Sequence, residues 1–175
     1  MINPELEIIL SELGDEVIEQ AQRNIGAIRS VKTWNGRTVK RRIDTTGTLR
    51  NNLGYSIADT AGNPVIKFGA GGRAKSYFAV VNEGRRPGTM PPPSAIVTWM
   101  KKKPVRLRGA SGSFIKTTEK GLARAAFAIA KSIQKRGTPA TKYYDDAINE
   151  VLSRKTQEFT DKLTELLNKN IEQWQ

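Results

Sequence analysis

The chain has 175 residues, 38% of them hydrophobic and 26% charged, with a formal net charge of +12 and neither cysteine nor histidine. That material suffices for one modest core. It excludes disulfide frameworks, thiolate metal sites and any chemistry that needs imidazole as base or ligand. No apolar run approaches the ~18 residues of a membrane span, and the opening Met-Ile-Asn-Pro-Glu-Leu-Glu is acidic where a secretory signal is basic and then apolar. A protein that works without export or a membrane is expected.

Charge is unevenly placed. Residues 1–28 hold one Lys or Arg against six Asp and Glu, residues 29–142 twenty-four against four, and residues 143–175 four against seven. The net therefore runs −5, +20, −3 along the chain. A basic middle between acidic ends is either a solvated surface attracted to its own termini, or a face turned toward DNA or an acidic neighbour.

In chain order, Asn3 caps a helix with Pro4 at its first position. Leu6, Ile9, Leu10, Leu13, Val17, Ala21 and Ile25 then form one apolar stripe, and Gly26 ends it. Residues 29–45 are basic, with Asn35-Gly36 as a turn signal, and read as a hairpin or as a loop ordered on binding. Thr46 or Thr48 opens a short turn that Gly54 stops. Tyr55–Ala58 and Val65–Phe68 read as paired strands about a turn at Ala61-Gly-Asn-Pro64. Tyr77–Val81 is a short apolar run, for which core packing is the first reading, and three prolines at 91–93 make a stiff connector.

Ser94–Lys103 is predicted helical, with Ile96, Val97 and Met100 inward. Residues 104–118 form a long basic loop, functional or mobile by its length. Leu122–Gln134 is a helix burying Phe127, Ile129, Ala130 and Ile133, closed by Gly137. Thr138-Pro139 opens a last helix of about 35 residues, roughly 50 Å long. Its stripe is Tyr144, Ile148, Val151, Leu152, Phe159, Leu163, Leu166, Leu167, Ile171 and Trp174. A helix that long outruns a small domain, so part of its apolar face packs on the first helix or on another subunit.

Signals for catalysis do not hold together. Gly69-Ala-Gly-Gly-Arg-Ala-Lys-Ser76 is similar to a phosphate-binding loop, but Ala74 stands at the second required glycine and no apolar run ending in Asp follows. Asp145 and Asp146 are helix neighbours pointing about 100° apart, as suits a first turn and not an acid–base pair. Without histidine, only lysine remains to activate a hydroxyl, and no Ser-x-x-Lys stands in a fitting context. The residues point away from an enzyme and from any catalytic, cofactor or metal site.

Three stretches carry a resemblance. Tyr77-Phe-Ala-Val-Val-Asn-Glu-Gly84 with Arg85-Arg-Pro-Gly-Thr-Met-Pro-Pro-Pro93, the later Gly137-Thr-Pro-Ala-Thr-Lys-Tyr-Tyr-Asp-Asp-Ala147, and Asp44-Thr-Thr-Gly-Thr-Leu-Arg50 together resemble the tail-completion, or head–tail joining, proteins of long-tailed bacteriophages. The likeness spans about residues 1–150 and departs from the family pattern at Asn82, at the inserted Arg85-Arg86 and in the long last helix. It implies an α+β fold: a small antiparallel sheet packed by helices, with a long N-terminal and an extended C-terminal helix. It places a neck-type domain at 1–150, basic loop 104–118 included, and a helical extension at 151–175.

The function so implied is that of a structural virion protein of the neck, assembled in the host cytoplasm. It forms a six- or twelve-fold homo-oligomeric ring between portal or adaptor proteins and tail tube or terminator proteins, with double-stranded DNA passing through. Arg85, Arg86, Lys101, Lys102, Lys103, Arg106 and Arg108 are the candidate partner- or DNA-facing residues, docking on an acidic protein being the first reading and DNA lining the second. For Arg85 and Arg86 plain solvated charge stays open. Phe159, Leu163, Leu166, Leu167, Ile171 and Trp174 are the candidate subunit interface. The alternatives are a free-standing basic nucleic-acid-binding protein, and another tail or scaffold subunit; the first lacks any helix-turn-helix, zinc-finger or ribonucleoprotein-like motif. Because Ala74 interrupts the glycine loop, adding ATP and magnesium should leave the melting temperature unchanged and release no phosphate; a nucleotide-dependent rise in melting temperature contradicts this reading of residues 69–76.

Overall fold

In a computed structural model that describes residues 3–32, 36–43, 46–103, 105–109 and 111–172, the chain divides into two compact units. The first gathers Met1–Arg29, Arg42–Asn82 and Lys142–Gln175; the second, Ser30–Arg41 and Glu83–Thr141. The fold is α+β, with long first and last helices and two small sheets.

The first unit is organised by α1 (Pro4–Gly26). The Asn3 side chain accepts the Glu5 N–H at 2.8 Å, and Pro4 takes the position where its missing donor costs nothing. The second long helix lies antiparallel to it, as the ion pairs show: Glu16 meets Arg154 and Lys155, Glu12 meets Lys162, and Glu5 meets Lys169. Exposed pairs of this kind contribute about 0–1 kcal/mol each, so they set register more than stability. Stability comes from the seam, where Val17, Ala21 and Ile25 bury against Tyr143, Tyr144, Ala147 and Val151.

That last helix, Tyr143–Glu172, has 30 residues. It begins four residues after Pro139, and the expected cap-plus-proline opening at Thr138 is corrected: Thr138 is held in a backbone bridge with Arg85, and Lys142 has φ +52°, which no helix continues through. The boundary expected between 150 and 151 falls inside this helix, where Val151 is fully buried.

Strands β1 (Ile28–Lys32) and β2 (Thr38–Arg42) pair as one two-stranded sheet; Gly36 has φ +77°, while Asn35 lies outside the described residues. Strands β3 (Leu53–Thr60) and β4 (Asn63–Ala70) pair antiparallel from Leu53↔Ala70 to Thr60↔Asn63. The connection is narrower than the sequence indicates: Ala61 and Gly62 alone turn, both at positive φ, as a two-residue hairpin requires. Gly54, expected to stop a turn, lies in β3, and only Arg50–Asn52 forms a short 3-10 segment. Residues 44 and 45 of the Asp44–Arg50 stretch lie outside the described residues.

An aromatic chain ties this sheet to the last helix. Tyr55 and Phe68 have centroids 6.2 Å apart, Phe68 and Tyr144 5.6 Å, and Tyr144 and Tyr143 5.6 Å. Ala74 is fully buried in the same core, in a 3-10 segment Gly72–Ser76, so a packing methyl stands where a phosphate loop needs an open backbone. Of the apolar run at 77–81, Phe78–Val81 is helical within α2 (Phe78–Glu83), and Tyr77 precedes it.

In the second unit α3 (Pro93–Lys102) packs on α4 (Glu119–Arg136) around Met100, Leu122 and Ala126. The Thr118 hydroxyl accepts the Gly121 N–H at 3.1 Å, and Gly137, at φ +71°, closes α4. Phe127, expected inside, is 51% exposed; the small Ala126 and Ala130 take the inward positions, which allows close helix contact and turns residue 127 outward. With α4 defined, the last helix is α5.

Gly14 of α1 lies under the Tyr55 ring, where an added Cβ would sit 2.6 Å from ring atoms. The ring is held in place, its hydroxyl 3.0 Å from both the Ser11 carbonyl it can donate to and the Asp15 carboxylate. Helix propensity favours Ala over Gly by about 1 kcal/mol, whereas overpacking costs about 1–3 kcal/mol. Gly14→Ala should therefore lower the melting temperature despite the better helix former; a thermal scan showing a rise contradicts this packing.

Candidate functional site

Two constellations carry more polar detail than a fold alone requires. The first surrounds Asn82, a polar residue buried to 6% exposure. Its Oδ1 accepts the Tyr144 N–H at 2.9 Å, its Nδ2 donates to Asp145 Oδ1 at 2.7 Å, and its carbonyl accepts the Lys142 N–H at 2.9 Å. A helix start leaves its first N–H groups unpaired, and at α5 a side chain from a remote segment satisfies one. Lys142 Nζ also donates to Asp145 at 2.7 Å. Arg29 pairs with Asp146, so the adjacent acids serve the first turn of α5 structurally.

The second unit repeats this tying next door in sequence. Arg85 and Thr138 exchange backbone hydrogen bonds at 2.9 Å each, and the Gly88 N–H donates to Gln134 O at 2.8 Å. Gly84, at φ +80°, lies so close that a Cβ would fall 2.6 Å from the Thr138 carbonyl oxygen; at Gly137 it would fall 1.9 Å from that of Arg85. Only glycine fits either place.

The second constellation is the basic segment after α3. Residues 105–109 and 111–115, expected as part of an unstructured loop, pair as a small hairpin: Arg108 bridges Phe114, the Ile115 N–H donates to Leu107 O at 3.0 Å, and the Gly109 N–H donates to Ser113 O at 2.9 Å. Pro104 and Ala110 lie outside the described residues. Val105 and Leu107 pack on the Met100–Leu122 core, while Arg106 and Arg108 alternate outward, as a strand's period of two dictates. Both guanidinium groups lie over the Phe114 ring, at 5.5 Å and 4.5 Å from its centroid, and Phe114 is itself 56% exposed. Arg108 Nη1 also donates to Gly112 O at 2.9 Å. Lys103 lies 5.8 Å over the half-exposed Trp99 ring.

Of the seven basic candidates, the structure brings Arg106 and Arg108 together on one ring. Lys101 is drawn aside by Glu119 at 3.0 Å, Arg85 donates to Thr89 O at 2.9 Å, and Arg86, Lys102 and Lys103 are exposed. Phe114 was not among the sequence candidates. Its signal was present in the pattern Val-Arg-Leu-Arg followed across a Gly-Ala-Ser-Gly-Ser tip by Phe-Ile, which reads as two short strands.

Of the interface candidates, Leu163, Leu167 and Ile171 are exposed, Phe159 is half-buried, and Trp174 lies outside the described residues. Leu166 is corrected: at 9% exposure it belongs to the protein's interior. Leu152 and, on α1, Ile8 are exposed apolar residues the sequence list omits.

Among the described residues no three His, Cys, Asp or Glu side chains gather as metal ligands, and no helix is long and apolar enough to cross a membrane. Comparison with known proteins finds no matching family model, curated protein or solved structure.

Hydrogen bonds from Lys142, first, and from Asn82 hold the Asp145 carboxyl below the ordinary carboxylate range, against a smaller opposing effect of desolvation. A pKa lower in the folded than in the unfolded state gives stability present above the unfolded value, about 3.9, and lost as pH falls through the folded one. Asn82→Ala should cost about 1–3 kcal/mol, because Tyr144 N–H is then left unpaired inside. It should also lessen the loss of stability below pH ~4. Melting curves from pH 2 to 7 check both; an unchanged stability at pH 7 contradicts the capping role.

Proposed function

We propose that this chain is a structural subunit of a bacteriophage neck, forming a ring that joins the portal or head-completion proteins to the tail. The observation that carries the reading is where the resembling segments meet. The stretch 77–88 and the stretch 134–146, far apart in sequence, are bound to each other by backbone and side-chain hydrogen bonds through Asn82, Arg85 and Gly88. Two glycines there admit no side chain. The segments that carry the resemblance are thus the ones that fix the chain path, although Asn82 and Arg85, through which they are tied, depart from the family pattern.

A subunit of such a ring needs a surface for its neighbours, and α5 offers one. Leu152, Leu163, Leu167 and Ile171 present exposed apolar side chains on a helix whose neighbouring stripe, with Tyr144, Ala147 and Val151, is buried in the core with α1. A contact between this face and a different face of the next copy is heterologous, the kind that closes into rings. The connector Arg85–Pro93, with its exposed Arg86, is a surface for the adjoining neck proteins.

The test is assembly on a portal. Purified chain is added to tail-less heads with an exposed portal vertex, and two-dimensional class averages are collected. A ring of added density at that vertex is expected; density along the tail tube instead, or none at the portal, overturns the neck reading. The triple variant Leu163→Gln, Leu167→Gln, Ile171→Gln should keep the parent's melting transition, since exposed substitutions shift stability by about 0.5 kcal/mol or less, yet form no ring.

A further inference from the structure

The charge of the protein resides in one unit. Within Ser30–Arg41 and Glu83–Thr141 there are seventeen Lys and Arg and two Asp and Glu, a net of +15; the other unit holds twelve and fifteen, a net of −3. One of the two acids, Glu119, is already taken by Lys101. On the acidic helix α1, Glu5, Glu12 and Glu16 are already engaged by Lys169, Lys162, Lys155 and Arg154 of α5, which leaves less of its charge for the basic unit of a second copy. A surface this cationic fits a partner of dense, regular negative charge, and duplex DNA presents one charge per ~1.7 Å of axis.

The local geometry narrows the partner further. Arg106 and Arg108 converge on Phe114 with no ion pair of their own among the described residues. Two like charges are thus held side by side by a ring and a carbonyl, an arrangement that an anion between them relieves. Residues two apart on a strand are separated by about 6.6 Å, a spacing suited to successive phosphates on one strand. Both guanidinium groups lie over the Phe114 ring, so the ring orients the two arginines together toward one anionic surface.

We infer that the hairpin 105–115, through Arg106 and Arg108 stacked on Phe114 and flanked by Lys102, Lys103 and Lys116, binds the phosphate backbone of double-stranded DNA without reading its sequence. The inference stands independently of the neck reading, since it concerns the purified chain and not its place in an assembly. Backbone contacts of this kind allow a protein to slide along DNA, so such a surface is compatible with moving DNA. An acidic protein is the competing occupant.

Binding of the full-length chain to a fluorescent 30-base-pair duplex, followed by anisotropy across a salt series, tests the inference. Expected are equal affinities for duplexes of unrelated sequence, weaker binding to a single strand of equal charge, and a log–log salt slope of about −0.9 per phosphate contacted. Arg106→Gln with Arg108→Gln should weaken binding roughly tenfold and make the slope shallower by about 1.8. Phe114→Ala, with all charge retained, should weaken binding while keeping the slope. The charge-matched pair Lys131→Gln and Lys135→Gln on α4 should have little effect. Circular dichroism and melting curves like the parent's establish that each variant folds.

Equal losses in the hairpin and α4 pairs show diffuse attraction and overturn the site. So does parental binding by Phe114→Ala. Displacement of DNA by poly-glutamate at equal charge concentration assigns the face to an acidic protein and overturns the DNA assignment.

Discussion

The burial of Tyr143 and Tyr144 against α1 is the constraint on which the first unit rests. Both rings are removed from water, and burial pushes both phenols above their ordinary pKa, so they stay neutral. Two large rings at the very start of a helix bring that helix's unpaired N–H groups inside with them. A buried N–H without an acceptor is costly, and the core must therefore bring one in; Asn82 does so, and its amide nitrogen then finds Asp145. Position 82 is polar because positions 143 and 144 are aromatic. From the same two rings Phe68 and Tyr55 lead to the sheet, and through Tyr55 to Gly14 of α1.

Electrostatics divides the work differently in the two units. In the first, acids of α1 and bases of α5 neutralise each other along the helix pair, and what remains is close to balance. In the second, apolar residues of α3, α4 and the hairpin form a small core with little acidic surface around it. Like charges at that density repel, and the fold tolerates this because long side chains reach into solvent and two arginines spread their charge on a ring. The stability of that unit is thus set by its packing and lowered by its charge, the reverse of the first unit's surface.

How much of this was legible in the sequence follows from which interactions are local. The cap at Asn3, the α1 stripe, the β3–β4 pairing and the Gly137 stop depend on neighbours in the chain, and pattern and propensity carry them. The start of α5 does not: Thr138-Pro139 has the local signature of a helix opening, but Thr138 is drawn into pairing with Arg85, and the helix waits until Tyr143. Phe127 misleads because hydrophobicity was weighed without size; between packed helices alanine fits and phenylalanine does not. The basic segment was legible as charge, while its order lay in two short runs, Val105–Arg108 and Phe114-Ile115, too brief to stand out against the length of the loop until Arg108 is seen to pair with Phe114. Asn82 stood out only as a departure from a family pattern, its purpose lying sixty residues downstream.

The glycines divide into two kinds with different prospects for change. What crowds Gly14 is the side chain of Tyr55, and a side chain can itself be replaced, so a larger residue at 14 has a second-site suppressor in reach at 55. What crowds Gly84 and Gly137 is the main chain of Thr138 and Arg85, which every amino acid carries. No exchange elsewhere removes a carbonyl oxygen, so these two positions are closed to drift while the path of the chain is kept, and only a rerouted backbone would free them.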